Sequence, residues 1–284
     1  MMTRKRNSHP SCFLVMLAIF FITSQASALL TAEDVAKQAK EAMRAGATAE
    51  DAVKSVVASA IVQGMSAKDA AAAAAKGAVE VAFTLAEDIN AAIQGAVMGA
   101  ASGAIEAGQD PDAAIEGACQ GVIRAAAAAD ADTQLAAWMA VGASVNHAVQ
   151  HNRDIGVAAC FAVTGAMTGA VASGLGSEEI ARVVSGSTRG AIAAAIVTGQ
   201  DTRAVGTAVQ SCVYSAAETL GLDPAYFAMV SAKAGRAADT IPPEVKSPRK
   251  MAPARGAPEG PAMPVPEPDA IEPVPDPTPR ATGV

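Results

Sequence analysis

Four consecutive stretches decide the fold: DINAAIQGAVMGAASGAIEAGQ at 88–109, DPDAAIEGACQGVIRAAAAADA at 110–131, DTQLAAWMAVGASVNHAVQHNR at 132–153 and DIGVAACFAVTGAMTGAVASGL at 154–175. Each is 22 residues long and opens on an aspartate: Asp88, Asp110, Asp132 and Asp154. Self-similarity at a period in this range marks a tandem repeat rather than an ordinary globular domain.

The series continues outward with small slips. Thr31, Thr48 and Ser66 precede it, and Ser177, Asp201 and Asp223 follow it. All ten are residues whose side-chain oxygen accepts a hydrogen bond from the free N–H groups of a helix's first turn. Between Leu29 and Asp239 the only prolines are Pro111 and Pro224, each one residue after an expected cap, where a missing N–H costs little. Glycines that stop helices precede the later caps: Gly108, Gly174 with Gly176, Gly199 and Gly221. Start and stop signals therefore coincide, and they predict about ten separate helices, the later ones roughly 27 Å long. A single long helix with an 11-residue double period is the rival, but each Gly and Pro would weaken or break it.

Within each unit, small residues recur in columns counted from the cap. Column 4 holds Ala92, Ala114, Ala136 and Ala158, and column 8 holds Ala96, Ala118, Ala140 and Ala162. Column 11 holds Gly99, Gly121, Ala143 and Gly165, and column 15 holds Gly103, Ala125, His147 and Gly169. Steps of three and four put these on one helix face, where they let backbones approach closely. Larger apolar residues such as Ile93, Val97, Ile115, Val141, Val163 and Met167 flank the stripe. The composition, 51% hydrophobic but only 3% aromatic, matches a core of this kind. The fold expectation is all-α: tandem single-helix repeats stacked as antiparallel hairpins over 29–239, solenoid-like, with stability growing unit by unit.

The two ends read differently. Residues 1–28 have the form of a signal peptide: basic Arg4, Lys5 and Arg6, an apolar run from Cys12 to Thr23, and an Ala26-Ser27-Ala28 cleavage site. Residues 240–284 hold 13 of the 16 prolines, in runs such as Pro264-Val265-Pro266, and read as a disordered polyproline tail. The chain carries a net charge of −7. Removal of residues 1–28 takes away three basic residues and no acid, giving −10. That balance disfavours nucleic acid and anionic membrane surfaces as partners.

Cys119, Cys160 and Cys212 fall in different units and different columns. With Cys12 removed along with residues 1–28, these three thiols leave at least one unpaired within a monomer. The expectation is three small buried apolar residues, with an intermolecular disulfide as the alternative.

No G-x-S-x-G, phosphate loop, H-E-x-x-H or EF-hand pattern occurs. His147 and His151 lie four apart and could share a metal, but no third ligand is evident. His147 also replaces a small residue in column 15, which requires a widened gap, a helix end or solvent; an exposed helix C-terminus is the simpler expectation. Acidic pairs such as Glu50/Asp51 and Glu178/Glu179 sit in expected first turns, where they complement the helix dipole. No catalytic, cofactor-binding or metal residue is assigned. The functional expectation is an exported, periplasmic or extracellular, non-enzymatic scaffold that binds a protein partner or itself. The alternative is a conditionally membrane-inserting protein. It rests on the uncharged stretch Ile155 to Gly176 and on Gly95-x-x-x-Gly99-x-x-x-Gly103 and Gly165-x-x-x-Gly169.

Overall fold

A computed structural model describes residues 30–238. The expected signal peptide (1–28) and the Pro-rich tail (240–284) lie outside the described residues. The described residues form ten helices joined by connections of three or four residues. They are α1 (Ala32–Arg44), α2 (Ala49–Val62), α3 (Ala67–Leu85), α4 (Ile89–Glu106), α5 (Pro111–Ala128), α6 (Thr133–Gln150), α7 (Ile155–Ala172), α8 (Ser177–Val197), α9 (Thr202–Thr219) and α10 (Pro224–Ala238).

Polar capping starts the helices where the sequence places them. Thr31, Thr48, Ser66, Asp88, Asp110, Asp132, Asp154 and Asp201 each accept a hydrogen bond from a first-turn N–H. Asp223 does the same for Ala225 and Tyr226 at the start of α10. The exception is Ser177, which is the first residue of α8 and not its cap. Gly176 occupies the cap position, and its N–H donates to the Glu179 carboxylate at 2.8 Å, so the helix is closed from three residues ahead.

All nine connections contain one residue in the left-handed conformation. Six are glycines: Gly46, Gly64, Gly108, Gly174, Gly199 and Gly221. The other three are Ala86, Asp130 and Asn152. A Cβ in this region costs energy, least for Asn and Asp, so Ala86 is the strained member of the set.

The helices alternate between two layers, α1-α3-α5-α7-α9 and α2-α4-α6-α8-α10. Each packs only against helices one or two places away among the described residues. The closest packing runs between helices two apart, within a layer. The glycines show why. A methyl at Gly121 would collide with the carbonyl of Ala72, at Gly165 with that of Glu116, and at Gly99 with that of Glu50. Gly117 and Gly121 meet Lys68 and Ala72 in ascending order, and Gly165 and Gly169 meet Glu116 and Gln120. Helices two apart are therefore parallel, and consecutive helices form antiparallel hairpins. The small-residue stripe sets backbone against backbone within a layer, where dispersion between closely packed atoms replaces the area a larger core would bury.

The register is explicit. In the α3–α5 and α5–α7 seams a column-11 glycine sits on the column-6 residue of the helix two earlier, Gly121 on Ala72 and Gly165 on Glu116. In the α2–α4 seam, by contrast, column-11 Gly99 sits on column-2 Glu50 and column-15 Gly103 on column-6 Lys54. Ion pairs flank these seams in the first half of the stack: Lys40–Glu80 and Lys68–Glu116, both at 2.6 Å, and Lys54–Glu106 at 3.3 Å. Three same-layer pairs are looser: α4 with α6, α7 with α9 and α8 with α10. In each, something other than glycine closes the seam.

Candidate functional site

Each looser seam holds polar or reactive side chains in place of the glycine contact: a disulfide, a hydroxyl pair or a histidine. In the α7–α9 seam Cys160 and Cys212 form a disulfide, with Cα atoms 5.4 Å apart. This corrects the expectation of three unpaired thiols. Cys160 is column 6 of α7 and Cys212 is column 11 of α9, the two positions that elsewhere bring glycine onto backbone. A covalent bond thus occupies the point of closest approach, with room for two sulfurs because the helices stand farther apart.

Cys119 remains a free, buried thiol on α5, 3.7 Å from the Ser144 hydroxyl of α6. Burial pushes it up to about 12, so it carries no thiolate at neutral pH and is no nucleophile. The α8–α10 seam is closed by a buried hydroxyl pair, Thr188 and Ser231 at 3.0 Å, with Thr188 also donating to the Val184 carbonyl.

The α4–α6 seam carries the histidine. His147 is only 1% exposed, which corrects the expectation of an exposed helix end. It fills column 15 of α6, the position from which Gly103 and Gly169 touch the helix two earlier. A ring in that place keeps α6 off α4, so the widened gap is the reading the structure supports. Neither ring nitrogen has a hydrogen-bond partner. Burial, reinforced by the neighbouring charges of His151 and Arg153, lowers His147 to about 4, so the ring is neutral at pH 7. His151 is exposed and stacks on it, ring centroids 4.3 Å apart and planes tilted 31°. Among the described residues no group of three or more His, Cys, Asp or Glu side chains is placed to hold a metal.

At the same edge, Arg153 in the α6–α7 connection reaches back to the start of α5. It pairs with Asp112 at 2.7 Å and Asp110 at 2.9 Å. Burial raises Asp112 above the usual carboxylate range while Arg153 opposes the shift, and its second oxygen has no partner. Sequence reading did not single out this cluster. Its signal was the replacement of a connection glycine by the Asn152-Arg153 pair.

Two open clefts lie on the opposite edge. One, of about 430 Å³, is lined by Met43, Glu50, Glu87, Asp88 and Met98. It exists because Gly99 meets Glu50 in the first turn of α2, so the first turn of α4 overhangs its neighbour. The other, of about 370 Å³, is lined by Asp130, Asp132, Leu175, Glu179 and Arg182. Neither brings a histidine or cysteine to its carboxylates. The acidic pairs stand in first turns as expected, in α2 and α8.

The uncharged segment of the membrane alternative is a helix of the stack. Ile155–Ala172 is long and apolar enough to cross a bilayer by length and composition, as is Ser177–Val197, which the sequence reading did not single out, and 50% and 67% of their apolar windows are buried. The glycines at 95, 99, 103, 165 and 169 face helices of the same chain.

No protein-family model matches the sequence, and no curated protein is similar to it. Among solved structures the chain is similar to a de novo designed helical repeat protein, at 19% identity and a TM-score of 0.40, over 61% of this chain and 97% of that one.

Proposed function

We propose that the protein is an exported, non-catalytic helical-repeat scaffold that engages a protein partner or further copies of itself. The observation that carries this reading is the two-layer stack of ten described helices, each packed only against its near neighbours. Such arrays characteristically serve as extended binding surfaces. Export is supported by the Cys160–Cys212 bond, since disulfides persist in oxidising compartments. It also agrees with the basic and apolar N-terminal segment.

The test is expression with the native N-terminus, followed by cell fractionation, intact mass and light scattering without detergent. A soluble species starting at Leu29, with one disulfide and a defined or concentration-dependent mass, is expected. Recovery only from membranes, resistant to carbonate extraction, would establish the inserting alternative. A cytoplasmic chain with an intact N-terminus and reduced thiols would sink the exported reading.

A further inference from the structure

The α4–α6 seam combines three features not found together elsewhere among the described residues. The glycines lapse at columns 11 and 15, a large ring stands in their place, and that ring is a wholly buried titratable group without a hydrogen-bond partner. Directly behind it, in the other layer, Gly165 and Gly169 hold α7 against α5 by backbone contact. One layer is therefore loosely closed where the other is tightly closed.

We propose that His147 makes the α4–α6 seam an acid-opened hinge: protonation drives the imidazolium out of the seam, α6 swings away from α4, and the α5–α7 seam serves as the pivot. A charged ring cannot stay where it is, because burial withholds solvation and no partner replaces it. The groups around it do not rescue the charge. His151 and Arg153 oppose a positive charge on the ring. Asp110 and Asp112 of α5 bind Arg153, and Asp154 at the start of α7 acts on that same cluster. Glu116 of α5 is bound to Lys68. In the second half of α4 the only charge is Glu106, bound to Lys54, and in the second half of α8 it is exposed Arg189. The low proton affinity of the buried ring agrees with this geometry. A stack of units joined only to near neighbours opens locally at its weakest joint before it melts as a whole.

The test is hydrogen exchange by mass spectrometry on the full chain from pH 7 to pH 4.5, corrected for the intrinsic pH dependence of exchange. Proton linkage with values of 6.5 outside the seam and about 4 within it gives an opening population that rises about 20-fold between pH 7 and pH 5. The rise should be confined to α4 and α6. It should vanish in His147→Ala and in the neutral, polar His147→Gln, the second guarding against a fold lost through the cavity. It should persist in His151→Ala. Spin labels at Ser102→Cys and Asn146→Cys should report a lengthening distance over the same range, with Cys119 left unreactive by burial. Equal acceleration in all ten helices, or an unchanged rise in both His147 variants, would overturn the hinge. So would an NMR titration that puts His147, one of three histidines in the chain, above pH 6.

Discussion

The α5–α7 and α4–α6 seams are built from the same columns of the same repeat, and at the two contact columns they differ in two residues. Where α7 offers Gly165 and Gly169, α6 offers Ala143 and His147. The first pair lets a helix rest on its neighbour's carbonyls; the second holds it away and buries a ring. Between these two seams, closeness follows side-chain volume at columns 11 and 15. A third solution, the disulfide of the α7–α9 seam, accepts the wider spacing and closes it covalently.

The largest expected effect comes from that covalent closure. The bond spans 52 residues, and chain-entropy reasoning assigns a loop of that size roughly 4 kcal/mol. Cys160→Ser with Cys212→Ser should lower the denaturant midpoint accordingly, and reductant should reproduce the loss in the native chain. An unchanged midpoint would mean that α9 and α10 are held by packing alone.

Next is the glycine seam. Gly165→Leu places a side chain on the Glu116 carbonyl and should destabilise the stack by about 3 kcal/mol, the upper end of ordinary overpacking. Gly99→Leu, against Glu50 at the short helix α2, should cost less because an open cleft adjoins it. Equal losses, read from urea titrations, would show that the carbonyl contact alone decides and that the cleft gives no relief.

The histidine seam should respond to acid instead. His147 is neutral and buried in the folded state, with its affinity lowered from 6.5 to about 4. The unfolded chain therefore takes up the proton first as pH falls. Stability from this residue is intact above pH 6.5 and is lost progressively down to about pH 4, by about 3 kcal/mol in all. The difference in unfolding free energy between the native chain and His147→Gln should trace that window; a difference independent of pH would contradict it.

The smallest effect concerns the connections. Ala86 adopts the left-handed conformation that glycine fills in six other connections. Ala86→Gly should raise the melting temperature, with a gain of about 1 kcal/mol. A loss would show that the entropy of the unfolded chain outweighs the relieved strain.

The helices were legible because their punctuation is local. Thr48 or Asp110 accepts from its own first turn, and Gly108 ends its own helix, so neither needs the tertiary structure to be known. Ser177 misled because Glu179 caps from the helix side, a choice between two local solutions that spacing does not decide. Ala86 escaped notice because alanine carries no left-handed propensity to read, and Asp130 and Asn152, which tolerate that region, are a less specific stop signal than glycine. The disulfide was hidden by register. Cys160 and Cys212 occupy different columns, and only the offset of parallel helices two apart, column 11 over column 6, reveals that those columns meet. In the other layer, column 15 faces the helix two earlier, as Gly103 faces Lys54, and that places His147 inside a seam. Counting columns along one strip cannot show which neighbouring helix the strip faces.

The alternation of layers also constrains how such a chain can change length. Inserting or deleting a pair of helices returns every later helix to its own layer and leaves each contact column facing a suitable partner. Inserting or deleting a single helix moves all later helices to the opposite layer, and between α7 and α9 it also separates Cys212 from Cys160 in count and in direction. A change of two helices at a time therefore preserves the layer of every described helix, and a change of one does not.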